Sequence, residues 1–252
     1  MRVCKRAVLF DLYGTLADVK VDEHRESFWS NLLAAPLLKG CKLTAVQFRR
    51  MYLDTLRNET RSGGKEGNVL VAAFTQLLLA IGVEPRIETV RSFAGLFRRE
   101  SLLSLEERTY ARVVIEAIRR AHCRVGLVSN TESLLTDYDL QQLHMRRLFD
   151  VVILSSDFGV KKPDRRIFEK ALQDLSVSSD EAVFVGDDIE ADVRGAVGAG
   201  IDAVFINGSS EPTPRPSQPT LARVIASPPE AAQILEALRA LGVVLDGDPP
   251  NL

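Results

Sequence analysis

Asp11, Ser129, Lys162 and the acids Asp187, Asp188 and Asp192 are the residues whose types and settings could do chemistry together in this 252-residue chain. Asp11 closes the apolar run 7–10, AVLF, which is too short to be a helix of its own. The acid therefore stands at the carboxyl end of a buried strand. Gly14 frees the backbone to turn sharply, and Thr15 adds a hydroxyl to the loop. Ser129 and Asn130 end a second apolar run, 124–128, where a hydroxyl and the following amide could hold an anion's oxygen. Lys162 precedes Pro163, whose fixed φ would stiffen its loop, and Lys161 beside it is a rival cation. The three acids follow the apolar run 182–185 and Gly186. Taken singly, each feature is ordinary, since Asp and Ser-Asn are common turn signals and acids favour helix N-termini. Taken together they put polar groups at one strand end after another, and in open α/β sheets that is where ligands bind.

The elements that must position these residues fall into two regimes. After Leu16 comes a polar connector, ADVKVDEHRE, and then helical periodicity. Phe28, Trp29, Leu32 and Leu33 mark a first helix, and Phe48, Met51, Tyr52 and Leu56 a second, broken by Arg61-Ser-Gly-Gly-Lys65. A third spans 69–81, capped by Gly82, and a fourth 87–99. From Tyr110 onward helices and strands alternate. Helices are expected over 111–121, 134–143, 165–175 and 190–199, with strands over 124–128, 151–154, 182–185 and 203–206. Such alternation means a parallel sheet with helices on both faces. The expected fold is thus α/β, a Rossmann-like parallel-sheet core of residues 1–16 and 106–252, with an inserted α-helical cap domain, 17–105, over the carboxyl edge of the sheet. The Pro/Ser-rich stretch 209–220 reads as a loop, 223–226 as an edge strand, 230–241 as an amphipathic helix and the terminal GDPPNL as frayed.

Composition narrows the function classes. A hydrophobic content of 46% is ample for a packed interior. A net charge of −2 with scattered charges gives no basic field for nucleic acid. No apolar run is long enough to span a bilayer and no charged-then-apolar leader opens the chain, so a cytoplasmic location is expected. Cys4, Cys41 and Cys123 form no C-x-x-C pair, and neither they nor the three histidines have metal-ligand spacing. No heptad seam speaks to oligomeric state.

In order and spacing, DLYGTL at 11–16, LVSN at 127–130, KKPD at 161–164 and VFVGDDIEADVRGA at 183–196 resemble the four motifs of the haloacid dehalogenase superfamily. The resemblance runs over about residues 5–210 and points to the helical-cap (C1, subfamily I) type. It implies phosphohydrolase chemistry, in which an aspartate takes the phosphoryl group, a cation offsets the gathering charge and fixed donors hold the oxygens. On that basis Asp11 is the expected nucleophile. Thr15, Ser129, Asn130 and Lys162 are the expected phosphoryl-binding residues, and Thr15, Ser129 and Lys162 with Asp11 the expected catalytic set. Mg²⁺ is the expected cofactor, held by Asp11, the Tyr13 carbonyl, Asp187 and, as ligand or support, Asp192, with Asp188 in a supporting place. The implied substrate is a small phosphorylated metabolite, with no nucleic acid or membrane as partner.

Tyr13 departs from that pattern, because most phosphatases of the family carry a second Asp there as general acid and base. A phenol with a pKa near about 10 is a poor base at neutral pH, and losing a positioned acid/base costs on the order of 10²–10⁴ in rate. Three readings follow. A phosphohydrolase could use a substitute acid from Asp18, Asp22, Glu23 or His24, or a leaving group that needs no proton. D-x-Y-G-T-L also looks like the metal-independent 2-haloacid dehalogenases, although a dense acid cluster without a cation would repel itself. A non-catalytic phospho-ligand binding protein is the third. The first is preferred.

Overall fold

A computed structural model describes residues 4–61, 69–206, 222–225 and 230–245. Its main sheet is six-stranded and parallel, in the order β5-β4-β1-β6-β7-β8. The strands are β1 (Ala7–Phe10), β4 (Arg124–Ser129), β5 (Val151–Leu154), β6 (Ala182–Gly186), β7 (Asp202–Ile206) and β8 (Ala222–Ile225). Every residue of β1 is buried, as a strand covered on both faces requires. Phe10 pairs with Leu127 of β4 on one side and Val185 of β6 on the other. The chain winds away from β1 in both directions, so β1 is the switch point of the sheet. Asp11, Ser129 and Asp187 emerge side by side because their strands are neighbours in register.

Two apolar layers flank the sheet. One gathers Val8, Phe10, Leu127 and Val185 under α5 (Ala111–Arg120) and α10 (Ala231–Leu241). The other gathers Leu9, Val128 and Phe184 under α8 (Arg165–Leu175), with Phe168 and Phe184 in edge-to-face contact. Alternate residues of one strand thus feed opposite layers.

Between residues 26 and 101 lie α1 (Glu26–Ala34), α2 (Ala45–Arg61), α3 (Val69–Ala80) and α4 (Ile87–Ser101), whose apolar faces meet in a separate core. Aromatic rings dominate it. Phe28, Trp29, Tyr52, Phe74, Phe93 and Phe97 touch in edge-to-face or tilted pairs, which favours a fixed geometry over a fluid one. Leu134 and Leu135 of α6 (Ser133–Gln142) pack against this cluster, so the helical segment rests on the sheet-bearing part.

Two strands were not legible as strands. Residues 17–21, read as connector, form β2 (Ala17–Val21), and 102–107 form β3 (Leu102–Glu107); they pair antiparallel as a two-stranded ribbon at the entry and exit of the helical segment. Both are half exposed, so neither shows a clean apolar alternation, and each is stabilised mainly by a partner some eighty residues away in sequence. The helix expected over 190–199 is wound wide over Ile189–Arg194 before a short α9 (Gly195–Gly198). A single-turn helix α7 (Ser155–Phe158) follows β5. The stretch 209–220 and the terminal GDPPNL lie outside the described residues, as does Ala226 of the expected edge strand.

Candidate active site

The sheet's carboxyl edge holds a cavity of about 220 Å³ whose lining includes Asp11, Tyr13, Ser129, Lys162, Asp187 and Asp192, together with Asn130, Thr131 and Asp188. Asp11 Oδ1 accepts from the Ser129 hydroxyl at 3.0 Å and from Lys162 Nζ at 2.5 Å. Among the described residues no donor is bonded to Asp11 Oδ2, which leaves that oxygen for a ligand. Lys162, not the exposed Lys161, reaches Asp11, and its ammonium also meets Asp192 Oδ1 at 2.6 Å. The Asn130 side chain accepts from the Lys162 N–H at 2.7 Å and donates to the Lys162 carbonyl at 2.9 Å. It braces the lysine's backbone, so what it can offer a ligand is its own N–H.

Thr15 is fully buried and its hydroxyl donates to Asp187 Oδ1 at 3.0 Å, which orients that acid instead of opening onto the cavity. Asp192 Oδ2 accepts from the Asp187 and Asp188 N–H groups at 3.1 and 3.0 Å. The widened helix turn carries Asp192 back against Gly186, where a side chain at 186 would collide with it. Asp188 caps the same helix, its Oδ1 accepting from Glu190 and Ala191 N–H.

Ligand atoms of Asp11, Asp187 and Asp192 all lie within 4.8 Å of one another. Burial pushes the Asp11 carboxyl up against the opposing pull of Lys162, and Asp187 adds to the rise. Asp192 is pushed up to about 6, first by burial and then by Asp11, with Lys162 again opposing. Asp187 is raised by burial and by Asp192, partly offset by the Thr15 hydroxyl. Burial alone would lower Lys162, but the two carboxylates outweigh it and the ammonium is held charged. One cation among these acids leaves an excess of negative charge, and an all-oxygen carboxylate set suits a hard divalent cation. The residues present fit Mg²⁺.

Tyr13 is not aimed as a free acid. Its hydroxyl donates to Asp139 Oδ2 at 2.5 Å, and Asp139 is gripped by Arg98, with Nε 3.0 Å from both carboxylate oxygens and an Nη 2.5 Å from Oδ2. Burial raises the phenol well above its ordinary value, and the Asp139 charge raises it further. Sequence reasoning missed Asp139 and Arg98, which carry no motif and lie far apart in the chain. It also missed Thr131, which lines the cavity and whose buried hydroxyl has no hydrogen-bond partner among the described residues. The polar run Ser-Asn-Thr at the end of β4 was the available signal.

Gly14 marks how closely the loop approaches the acids. Its φ is +86°, and a Cβ there would sit 2.1 Å from Asp187 Oδ2. Gly14→Ala therefore displaces Asp187 and strains the turn by about 1–2 kcal/mol. Turnover of any substrate of this site falls about 100-fold in steady-state assays, with a lowered midpoint of thermal unfolding; unchanged kinetics would mean that Asp187 is dispensable where it stands.

A sequence profile described as haloacid dehalogenase-like hydrolase matches residues 5–200. Pyrimidine 5'-nucleotidase YjjG of Escherichia coli is 29% identical over 102 residues, 40% of this chain and 45% of that protein, so the match spans less than half of that relative. A glyceraldehyde 3-phosphate phosphatase of Methanothermobacter thermautotrophicus is 25% identical over 212 residues, 80% of this chain and 85% of its own. Among solved structures, a 2-haloacid dehalogenase from Pseudomonas syringae superposes with a TM-score of 0.65 at 20% identity, covering 94% of this chain and 99% of its own; at that identity the likeness speaks to fold alone. With four motifs in register at the edge of a parallel sheet and a profile match over most of its length, the chain belongs to the haloacid dehalogenase-like hydrolase family.

Proposed function

We propose that the protein is a Mg²⁺-dependent phosphohydrolase of a small phosphorylated metabolite, with Asp11 as nucleophile and residues 17–105 as a cap over a core of 1–16 and 106–252. The observation that carries this reading is Asp11 itself. One of its oxygens is fixed by Ser129 and Lys162, the other accepts no bond among the described residues, the residue lines a cavity, and two further acids stand within metal-sharing distance. Relatives named as phosphatases, over 80% of the chain in one case, support it.

In the first step Asp11 Oδ2 attacks phosphorus, the bond to the leaving oxygen breaks, and the electron pair departs with that oxygen. Water then attacks phosphorus of the aspartyl phosphate, releasing inorganic phosphate and restoring the carboxylate. Lys162 opposes the rise that burial imposes on the Asp11 carboxyl and would face the phosphoryl oxygens together with the Ser129 hydroxyl. Mg²⁺ held by Asp11, the Tyr13 carbonyl and Asp187, with Asp192 beside them, would offset the charge on those oxygens. Tyr13 supplies no proton, because its hydroxyl is engaged by Asp139 and its pKa is raised. The leaving group therefore departs unprotonated by that residue, and substrates whose leaving groups are stable anions are favoured.

Phosphate release from aryl, acyl and sugar phosphates, with Mg²⁺ and with chelator, tests this alongside halide release from a 2-haloacid. The expected result is metal-dependent phosphate release that rises steeply as leaving-group pKa falls, with acyl and aryl phosphates ahead of alkyl ones. A flat dependence with chemistry rate-limiting means that another residue donates the proton. Metal-independent halide release replaces the reading with dehalogenation, for which the crowding of Asp11, Asp187 and Asp192 is the structural counter-argument.

A further inference from the structure

The Arg98–Asp139 pair is the most deeply buried ion pair outside the cavity among the described residues, with side-chain exposures of 8% and 0%. Its members come from different parts of the fold: Arg98 from α4 of the helical segment, Asp139 from α6 beside the sheet. The third member is Tyr13, whose hydroxyl donates to Asp139 Oδ2 and lies 3.4 Å from an Arg98 Nη. Tyr13 also lines the cavity, two residues from Asp11. A contact between the two parts of the molecule is therefore continuous, through one phenol ring, with the loop that carries the nucleophile. Around it the contact is apolar, since Leu134 and Leu135 of α6 pack on the helical segment's core. Glu23, on the connector before α1, lies near enough for the guanidinium to lower its carboxyl against a rise from burial.

Resting on the phosphatase reading, we infer that Asp139 and Arg98 are positioning residues: together they hold Tyr13, and through it the 11–15 loop, in its working geometry only when the helical segment is seated. A buried carboxylate that had only to be neutralised would need Arg98 alone. The Tyr13 hydroxyl adds a directional bond to the same oxygen that Arg98 grips, so the loop is fixed by the seating of a helix whose sequence lies more than eighty residues away. On this inference Tyr13 acts as a strut, and the leaving-group end of the cavity is shaped by its ring.

The test separates positioning from simple structural support by using an apolar replacement of the pair. Arg98→Met with Asp139→Leu removes both charges at similar volume, a change that buried ion pairs often tolerate in stability. Tyr13→Phe removes the strut's hydroxyl and leaves the pair. For hydrolysis of 4-nitrophenyl phosphate and phenyl phosphate, Tyr13→Phe and the double variant each lower kcat by about 10- to 100-fold. The factor is the same for both substrates, and KM moves less than kcat. Adding Tyr13→Phe to the double variant then lowers kcat by less than about twofold, because the strut is already gone. Hydrogen exchange reads the same coupling without turnover: amides of 11–16 exchange about tenfold faster or more in the folded double variant than in wild type. A folded double variant with wild-type kcat and unchanged exchange overturns the inference. So does a Tyr13→Phe factor that multiplies undiminished into the double variant, or one confined to the poorer leaving group, which would make Tyr13 a proton donor. If wild-type protein releases no phosphate, the phosphatase reading falls, and the exchange measurement alone decides the positioning role.

Discussion

Asp11→Asn lowers phosphate release on the order of 10⁴- to 10⁶-fold, as loss of a nucleophile does, while the protein stays folded. Both halves follow from the site. The amide oxygen of Asn is too weak a nucleophile to take the phosphoryl group, and each neighbouring acid among the described residues is already held by a partner of its own. Asp192 has both oxygens engaged by Lys162 and two N–H groups, Asp187 is held by Thr15, and Asp188 caps a helix. The fold persists because Asp11 is a strained guest at pH 7. Burial raises its carboxyl, so its ionised form is less at home here than in the unfolded chain, and removing that charge leaves Lys162 paired to Asp192. Circular dichroism and thermal unfolding should overlay those of wild type within a few degrees, with phosphate release below detection. Residual turnover near wild type would remove Asp11 as nucleophile.

The parts of this architecture that local pattern encodes were legible in the sequence. The buried run at 7–10 and the alternation after Tyr110 gave a parallel sheet, because strands covered on both faces must be apolar throughout and helices must bury one stripe. The ribbon of β2 and β3 was not legible, since each strand's stabilising partner is remote and neither carries a clean apolar face. The same division runs through the site. Asp11, Ser129 and Asp187 announce themselves at strand ends and Lys162 by the proline that follows it, and the register of β4, β1 and β6 brings the first three together. Asp139 and Arg98 sit inside helices where charged residues ordinarily face solvent, and only tertiary packing turns them inward. Thr15 shows the converse, where a motif residue's hydroxyl is turned toward a neighbouring acid rather than the cavity.

Lys162→Met tests how the site tolerates its own charges. Lys162 is buried, and its ammonium lies between Asp11 and Asp192 at 2.5 and 2.6 Å. Without it two buried carboxylates lose their counter-ion, which costs about 3–5 kcal/mol of stability at neutral pH. The sign of the pH dependence follows from the direction of the shifts. Both carboxyls are already raised in the folded protein, Asp192 to about 6 with Lys162 opposing the rise, so removing the lysine moves them higher still. The folded variant then binds protons that the unfolded chain releases, and its stability falls as pH rises through those values. The deficit relative to wild type is therefore largest at the alkaline end of the range, shrinks as pH falls toward about 6, because the carboxyls of the variant take up protons before Asp192 of wild type does, and levels off at lower pH. Denaturant unfolding at pH 8, 7, 6 and 5 reads it directly, and a deficit that stays constant over this range would mean that lost packing, not unpaired charge, carries the cost. Combining Lys162→Met with Asp11→Asn separates stability from chemistry. Removing one of the two stranded carboxylates restores part of the folding free energy, whereas phosphate release stays abolished, because the attacking oxygen has gone with it.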